Sequence, residues 1–338
     1  MPIASPPIAS DVWFVVNPTP HDALVRAIFG QLPHAAAELE AVLPPEVRGE
    51  LDLATLRPLD RAFVDATLRA SAADLLFEVQ QRSGVPAWVY LLLEHQSTVD
   101  RRLPLRLLAY MTRIWERQAE QGGEAATLPP IVPVLIHQGP RPFRGSARFA
   151  ASLEASVPLR AAMGDRLLDF EFFVDDLAAH SDVELLARGR DAIARLAWLA
   201  LRNGRDHPRL LTHLTAAIRH LEADLRGPAT LPALVQLYRY VCDVSDEPWA
   251  AVKDAFAAAL TPASRSSFMT IADQLRAEGR IEGRVEALRE SLLELLQVKF
   301  GEVDAATRAR IAAAESESLR RWLRRLLEAA TLPAVFEG

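Results

Sequence analysis

The chain has 338 residues, half of them hydrophobic and 24% charged, with a formal charge of −6, which suits two or three domains of ordinary size with ample core. The acidic balance excludes a chain coated in positive charge, so any nucleic-acid site has to be local, and the single cysteine, Cys242, excludes an internal disulfide and a thiolate cluster for zinc. No stretch reads as a signal peptide or as the roughly 18 apolar residues that span a bilayer, which predicts a cytoplasmic protein with no membrane contact.

Residues 1–20 are rich in proline and carry little periodicity, which predicts an extended N-terminal arm. His21-Asp22 then precede ALVRAIFGQL, whose Leu24, Ile28, Phe29 and Leu32 recur at helical spacing, with Asp22 expected as the N-cap. A helical pattern continues from His34 to Val42 and breaks at Pro44-Pro45. Residues 60–68 read either as a first strand or as an irregular lead-in.

The stretch SAADLLFEVQQRSGVPAWVYLLLEHQS, residues 71–97, reads as two strands folded back on each other around a polar turn that ends at Gly84. The nearly unbroken apolar run up to Leu93 predicts a central strand buried on both faces. At its end the sequence turns abruptly polar, with Glu94-His95-Gln96. Side chains alternate along a strand, so Glu94 and Gln96 share one face, as do Asp74, Leu76 and Glu78 on the first strand. A pairing that joins two even-numbered positions puts Asp74 and Glu94 on the same side. The turn decides whether they lie directly opposite, and a slip of two pairs would part them by about 7 Å. Two such carboxylates repel each other unless something positive sits between them. A divalent cation is the economical answer, and Mg²⁺ is commonly held by one or two carboxylates plus phosphate oxygens. Gln96, one pleat away, could orient a water but cannot supply the positive charge of a lysine.

Residues 100–121 read as a helix with Leu103, Leu107, Tyr110, Met111 and Ile114 on one face. Residues 130–136 form a β-rich run ending at His137-Gln138-Gly139-Pro140, expected to complete the sheet through a parallel crossover. His137, at that strand end, is a candidate site residue with an ionisable ring, and Glu78 is a further accessory candidate. Residues 167–174 are strand-like as well. From Asp175 to Leu260, Leu, Ala and Arg dominate in amphipathic helical patterns. His207, His213 and His220 lie there without i,i+4 spacing, which favours ordinary histidines over a metal set. The tail, 261–338, carries the echo AEGR, IEGR, VEAL, with Gly279 and Gly283 on one stripe; its near-cancelling charges favour helix-to-helix association, including self-association, over phosphate binding.

A strand with Asp, a turn, a strand with Glu-x-Gln, a helix and another strand resemble the PD-(D/E)xK nuclease superfamily. More closely, HDALVRAIF (21–29), LPPEVRGELDLATL (43–56), ADLLFEV (73–79), VYLLLEHQS (89–97), RLLAYM (106–111) and PIVPVLIHQG (130–139) resemble the recombination-promoting nuclease (Rpn) family. The resemblance covers roughly residues 20–175, with a looser echo in the tail. It implies an α/β fold with a restriction-endonuclease-like mixed sheet core flanked by helices, followed by an α-helical subdomain and a helical C-terminal tail. The expected divisions are an arm over 1–20, a nuclease-like domain over 21–175, a helical subdomain over 176–260 and a tail over 261–338. By the same likeness Asp74 and Glu94 would be the metal ligands, and Gln96 stands where the superfamily usually has lysine. Asp22 would be an acid that helps at the metal, and Arg106 and Tyr110, four apart on one helix, would meet DNA.

Three readings follow. The first is a Mg²⁺-dependent DNA endonuclease linked to recombination or transposition. The second is a DNA-binding recombination accessory with weak or lost cleavage. The third is a helical assembly protein on a nuclease-like core. No P-loop, G-x-S-x-G elbow or dinucleotide fingerprint competes with them.

Overall fold

The computed structural model describes residues 19–59, 75–94, 101–122, 127–225 and 227–337. Its first helix, α1 (Pro20–Phe29), opens on a reciprocal capping box in which Asp22 N donates to Thr19 Oγ1 at 3.2 Å and Thr19 N donates to Asp22 Oδ2 at 2.9 Å. The cap is therefore Thr19, and Asp22 is the third helical residue, not the N-cap that the sequence suggested. Pro20 explains the shift: its fixed φ and missing N–H suit the first helical position and start the helix early. Next come α2 (Leu32–Val42), short α3 (Pro45–Gly49) and β1 (Leu51–Pro58). The described first strand thus lies before residues 60–68, which fall outside the described residues. β1 is an edge strand, where Pro58 breaks no inner ladder.

Strands β2 (Leu75–Gln81) and β3 (Pro86–Glu94) form the expected hairpin, tightened at Gly84, whose φ of +84° suits a residue without Cβ. Helix α4 (Leu103–Gly122) carries the chain over to β4 (Ile131–His137), which runs parallel to β3. Short α5 (Val157–Met163) precedes β5 (Phe173–Asp176), parallel to β4. The sheet is mixed, in the order β1-β2-β3-β4-β5. β3 is its middle strand, and residues 87–93 are buried without interruption, as the apolar run requires. One face packs Leu76, Tyr90, Leu92 and Leu135 against Leu103, Leu107, Tyr110 and Ile114 of α4; each such leucine contributes about 1.5–3 kcal/mol. The other face is crossed by α2, which touches both β1 and β5.

The 167–174 stretch is a strand only in its last part. Phe170 instead stacks on Phe149 at 5.4 Å, and Asp169 accepts from Ala150 N at 2.8 Å and pairs with Arg148. Helices α6 (Asp182–Ala187), α7 (Ala192–Asn203), α8 (His207–His220), α9 (Thr230–Val244) and α10 (Trp249–Ala259) pack in the same compact unit as the sheet, which ends at Arg265. They are joined to the sheet by a buried polar cluster. Glu38 of α2, fully buried, accepts from Trp198 Nε1 at 2.5 Å, while both oxygens of Asp175 on β5 accept from Arg188 Nη1 at 2.8 Å. The Arg188 guanidinium lies over the Trp198 ring at 4.4 Å. Burial first, and the Asp175 carboxylate second, hold the Glu38 carboxyl well above the usual range.

The second unit begins at Ser266 and includes most of α11 (Pro262–Phe300), then α12 (Ala305–Ala312), α13 (Ser316–Glu328) and α14 (Leu332–Phe336). Its core gathers Leu292, Leu296, Ile311, Leu319, Trp322 and Phe336. α11 runs through Gly279 and Gly283, where an added Cβ would meet nothing within 4 Å. Close backbone packing is therefore not why those glycines are there. No helix among the described residues is long and apolar enough to cross a membrane.

Two outcomes are expected. A folded-state pKa raised above the unfolded value gives stability that is present below pH about 4.5 and lost as pH rises through the folded value; Glu38→Gln keeps an acceptor for Trp198 Nε1 but cannot ionise. The melting temperature of wild type should therefore fall relative to Glu38→Gln between pH 5 and 9, and parallel profiles would contradict this. Gly279→Ala with Gly283→Ala should stabilise α11 by about 1 kcal/mol per site, seen as slower amide exchange around both positions, with unchanged exchange as the contrary result.

Candidate active site at the carboxyl edge of the sheet

The parallel ladders set three polar positions at one level. Glu94, the last residue of β3, is the register partner of His137, the last residue of β4, and His137 is the partner of Asp176, the last residue of β5. In open α/β sheets ligands bind beyond the carboxyl ends of the strands where the strand order reverses; this sheet runs in chain order, so the level polar row itself marks this edge as the candidate site.

His137 is 4% exposed. Its Nε2 lies 3.1 Å from the Arg141 carbonyl, a contact only an N–H can make favourable, and its Nδ1 is buried with no hydrogen-bond partner among the described residues. The ring meets Phe143 edge-on, with centroids 5.3 Å apart. Asp176 is occupied: Oδ2 accepts from Phe143 N at 2.7 Å and Oδ1 from Ala178 N at 3.2 Å. Gly139 lets the chain double back over the imidazole, since a Cβ there would come within 2.5 Å of His137 Nε2 and 3.1 Å of the Arg141 carbonyl. Buried Gln138 donates to the Leu201 carbonyl at 2.7 Å and lies 3.3 Å from His21 Nδ1, which is 2.9 Å from the Tyr240 hydroxyl. These contacts bring the N-terminus of α1, and with it Asp22, to the end of β4.

Asp74 and Gln96 lie outside the described residues, and of Glu94 the backbone position alone is described. The β2–β3 register pairs Leu76 with Tyr90 and Glu78 with Trp88, joining even positions to even as the placement of Asp74 and Glu94 on one face requires. Glu78 belongs to a different place. It sits opposite Trp88, six residues and so about 20 Å up the strand from Glu94, where it accepts from Arg57 Nε at 2.9 Å and from Trp88 Nε1 at 3.4 Å. Tyr110 is buried against Tyr90, ring centroids 5.8 Å apart, on the α4 face of the sheet, and Arg106 is half-buried one turn earlier. Burial pushes the Cys242 thiol up to about 12, so it carries no thiolate at neutral pH. Among the residues that sequence reasoning passed over are Asp176, Gly139 and Phe143. A Gly-Pro pair, Gly139-Pro140, separated by one residue from the strand-end His137 was a usable signal for the fold-back at Gly139, whereas the Phe143 contact is made only by the returning loop.

Helix, antiparallel meander, crossover helix and parallel strand, with an acid, an imidazole and a capping acid level at the strand ends, define an α/β protein with its polar site at the carboxyl edge of a mixed sheet. The chain belongs to the family described as "Putative transposase, YhgA-like", whose model matches residues 19–227. It is similar to the recombination-promoting nuclease RpnA of Escherichia coli (strain K12), 27% identical over 271 residues that cover 77% of this chain and 85% of that protein. It is also similar to the recombination-promoting nuclease RpnD of Escherichia coli O157:H7, 28% identical over 261 residues, 76% of this chain and 94% of the relative. The inactive recombination-promoting nuclease-like protein RpnE of Escherichia coli (strain K12) is 26% identical over 262 residues, 77% of this chain and 83% of its own length. No solved structure matches the chain.

Gly139→Ala should cost about 1–3 kcal/mol through forced displacement of the buried His137 ring, read as a lower urea midpoint. An unchanged midpoint would contradict the fold-back geometry.

Proposed function

We propose that the protein is a divalent-metal-dependent DNA endonuclease acting in recombination or transposition. The observation that carries this reading is the level row at the strand ends, which sets Glu94 beside a buried imidazole at the carboxyl edge of the sheet. The relatives named recombination-promoting nucleases, aligned over three quarters of the chain, support it.

In this reading Asp74 and Glu94 hold Mg²⁺ between two hard oxygen donors, as that cation prefers. Glu94 ends a buried strand, and Nδ1 of the neighbouring His137 is buried without a hydrogen-bond partner among the described residues, which supports a ligand at this edge. Bound there, the ion would neutralise charge on the scissile phosphate and make a coordinated water more acidic. Gln96 orients the attacking water through its amide without carrying charge. Asp22, fixed by Thr19, and His137, fixed by Arg141, steady the rim of the pocket, and Arg106 of α4 meets DNA in this scheme, whereas Tyr110, buried against Tyr90 in the core, supports the helix and does not reach DNA. The partner is DNA; self-association would run through α11, which exposes Ile281, Leu295 and Val298.

A second reading, a DNA-binding recombination accessory without cleavage, is favoured by one specific observation: a relative named as inactive is about as similar as those named as nucleases. Plasmid nicking with Mg²⁺ separates the two. Wild type should nick, and Asp74→Ala and Glu94→Ala should each lose about 100-fold or more, the scale of losing charge stabilisation of the transition state. Equal nicking by wild type and variants overturns the metal-site assignment. DNA retardation without Mg²⁺-dependent nicking by wild type favours the accessory reading.

A further inference from the structure

Beside the carboxyl edge lies a cleft of about 640 Å³ between the start of α4 and the loop after β4. Its lining includes Arg101, Arg144 and Arg148, with Leu103 and Phe143 as apolar wall, and no acidic side chain among the described residues. Arg148 is neutralised by Asp169 and Glu171. Arg101 and Arg144 are exposed and have no ion-pair or hydrogen-bond partner among the described residues. In a chain of net charge −6, the segment 125–153 carries Arg141, Arg144 and Arg148 and no acid at all. Positive charge therefore outweighs negative locally around this cleft.

Both walls are fixed to the candidate active site. Phe143 donates its backbone N–H to Asp176 at 2.7 Å and lays its ring against His137. Leu103 packs in the same core cluster as Leu92, two residues before Glu94. An anion lying across Arg101 and Arg144 is thus held next to the strand ends, and the Phe143 and Leu103 surfaces suit the less polar sugar between phosphates.

We propose that this cleft seats the phosphodiester backbone flanking the scissile bond, with Arg101 and Arg144 as positioning residues that each neutralise one phosphate. The proposal rests on the nuclease reading for its location and on unpaired charge for its ligand. A guanidinium offers a fork of donors to phosphate oxygens, whereas lysine supplies the charge alone, so lysines should restore the electrostatic part of binding and less of the geometry.

The test uses the full chain and a duplex oligonucleotide in EDTA, between 50 and 200 mM salt. Arg101→Ala with Arg144→Ala should flatten the slope of log affinity against log salt by about 2, close to 0.9 per lost phosphate contact, and weaken binding at least about 10-fold at the low-salt end. Arg101→Lys with Arg144→Lys should restore the slope, and Arg166→Ala with Arg219→Ala, both exposed elsewhere on this unit, should leave it near wild type. Inorganic phosphate should compete weakly, since the cleft takes a strand and not an isolated ion. In Mg²⁺ the alanine pair should raise KM for cleavage with kcat within a few-fold. An unchanged slope overturns the cleft assignment whether or not wild type cleaves, and assigns the cleft to another anion, such as an acidic protein segment. A lost slope in a protein that never cleaves keeps the cleft and removes the nuclease reading. Absence of DNA binding by wild type at 50 mM salt overturns both.

Discussion

The parallel pairing of β3, β4 and β5 is the constraint from which the rest follows. Parallel ladders align residues at equal distances along neighbouring strands, so three strands that end together present their last side-chain positions in one row. Here that row is Glu94, His137 and Asp176. A slip by one residue would move each inward-facing leucine to the opposite face, so the packing of Tyr90, Leu92 and Leu135 against α4 fixes the register. Chemistry at the edge and hydrophobic packing in the centre are in this sense one property.

The outer end of the row depends on a second device. β5 has four residues and sits at the sheet's edge, a position with little ladder to hold it. Asp175 anchors it through Arg188, with Trp198 and buried Glu38 closing the cluster. The neighbouring Asp176 then caps the loop that carries Phe143 over His137. Removing one partner from a buried charged set costs several kcal/mol because the other charge is left unpaired. The cluster thus links the helical layer on one face to a polar edge that faces the cleft.

Much of the architecture was legible. The continuous apolar run of β3 announced a middle strand, the abrupt polarity at Glu94 announced its end, and the helix-length gap before Ile131 announced a parallel crossover. Other features were hidden for physical reasons. β1 lacks clean alternation, because an edge strand with a register shift between Asp52 and Arg57 does not need it. The aromatic stretch before β5 looked like strand because its phenylalanines are bulky and apolar, yet Phe170 spends itself on Phe149 beside the sheet. Glu38 sits in an ordinary helical pattern, and burial of its carboxyl depends on Trp198, far away in the chain. At the site, the strand-end residues could be picked out one by one. Asp176 as a loop cap and the unpaired arginines of the cleft exist as features only after folding.

The central claim is that the carboxyl edge of this sheet holds a divalent ion between Asp74 and Glu94. A crystal soaked in Mn²⁺ and measured at a wavelength where manganese scatters anomalously tests it most directly. The account predicts an anomalous peak about 2.0–2.5 Å from carboxylate oxygens of both residues, a distance usual for hard cations on oxygen ligands. Well-ordered carboxylates directed to opposite faces of the sheet, with no peak between them, would contradict it.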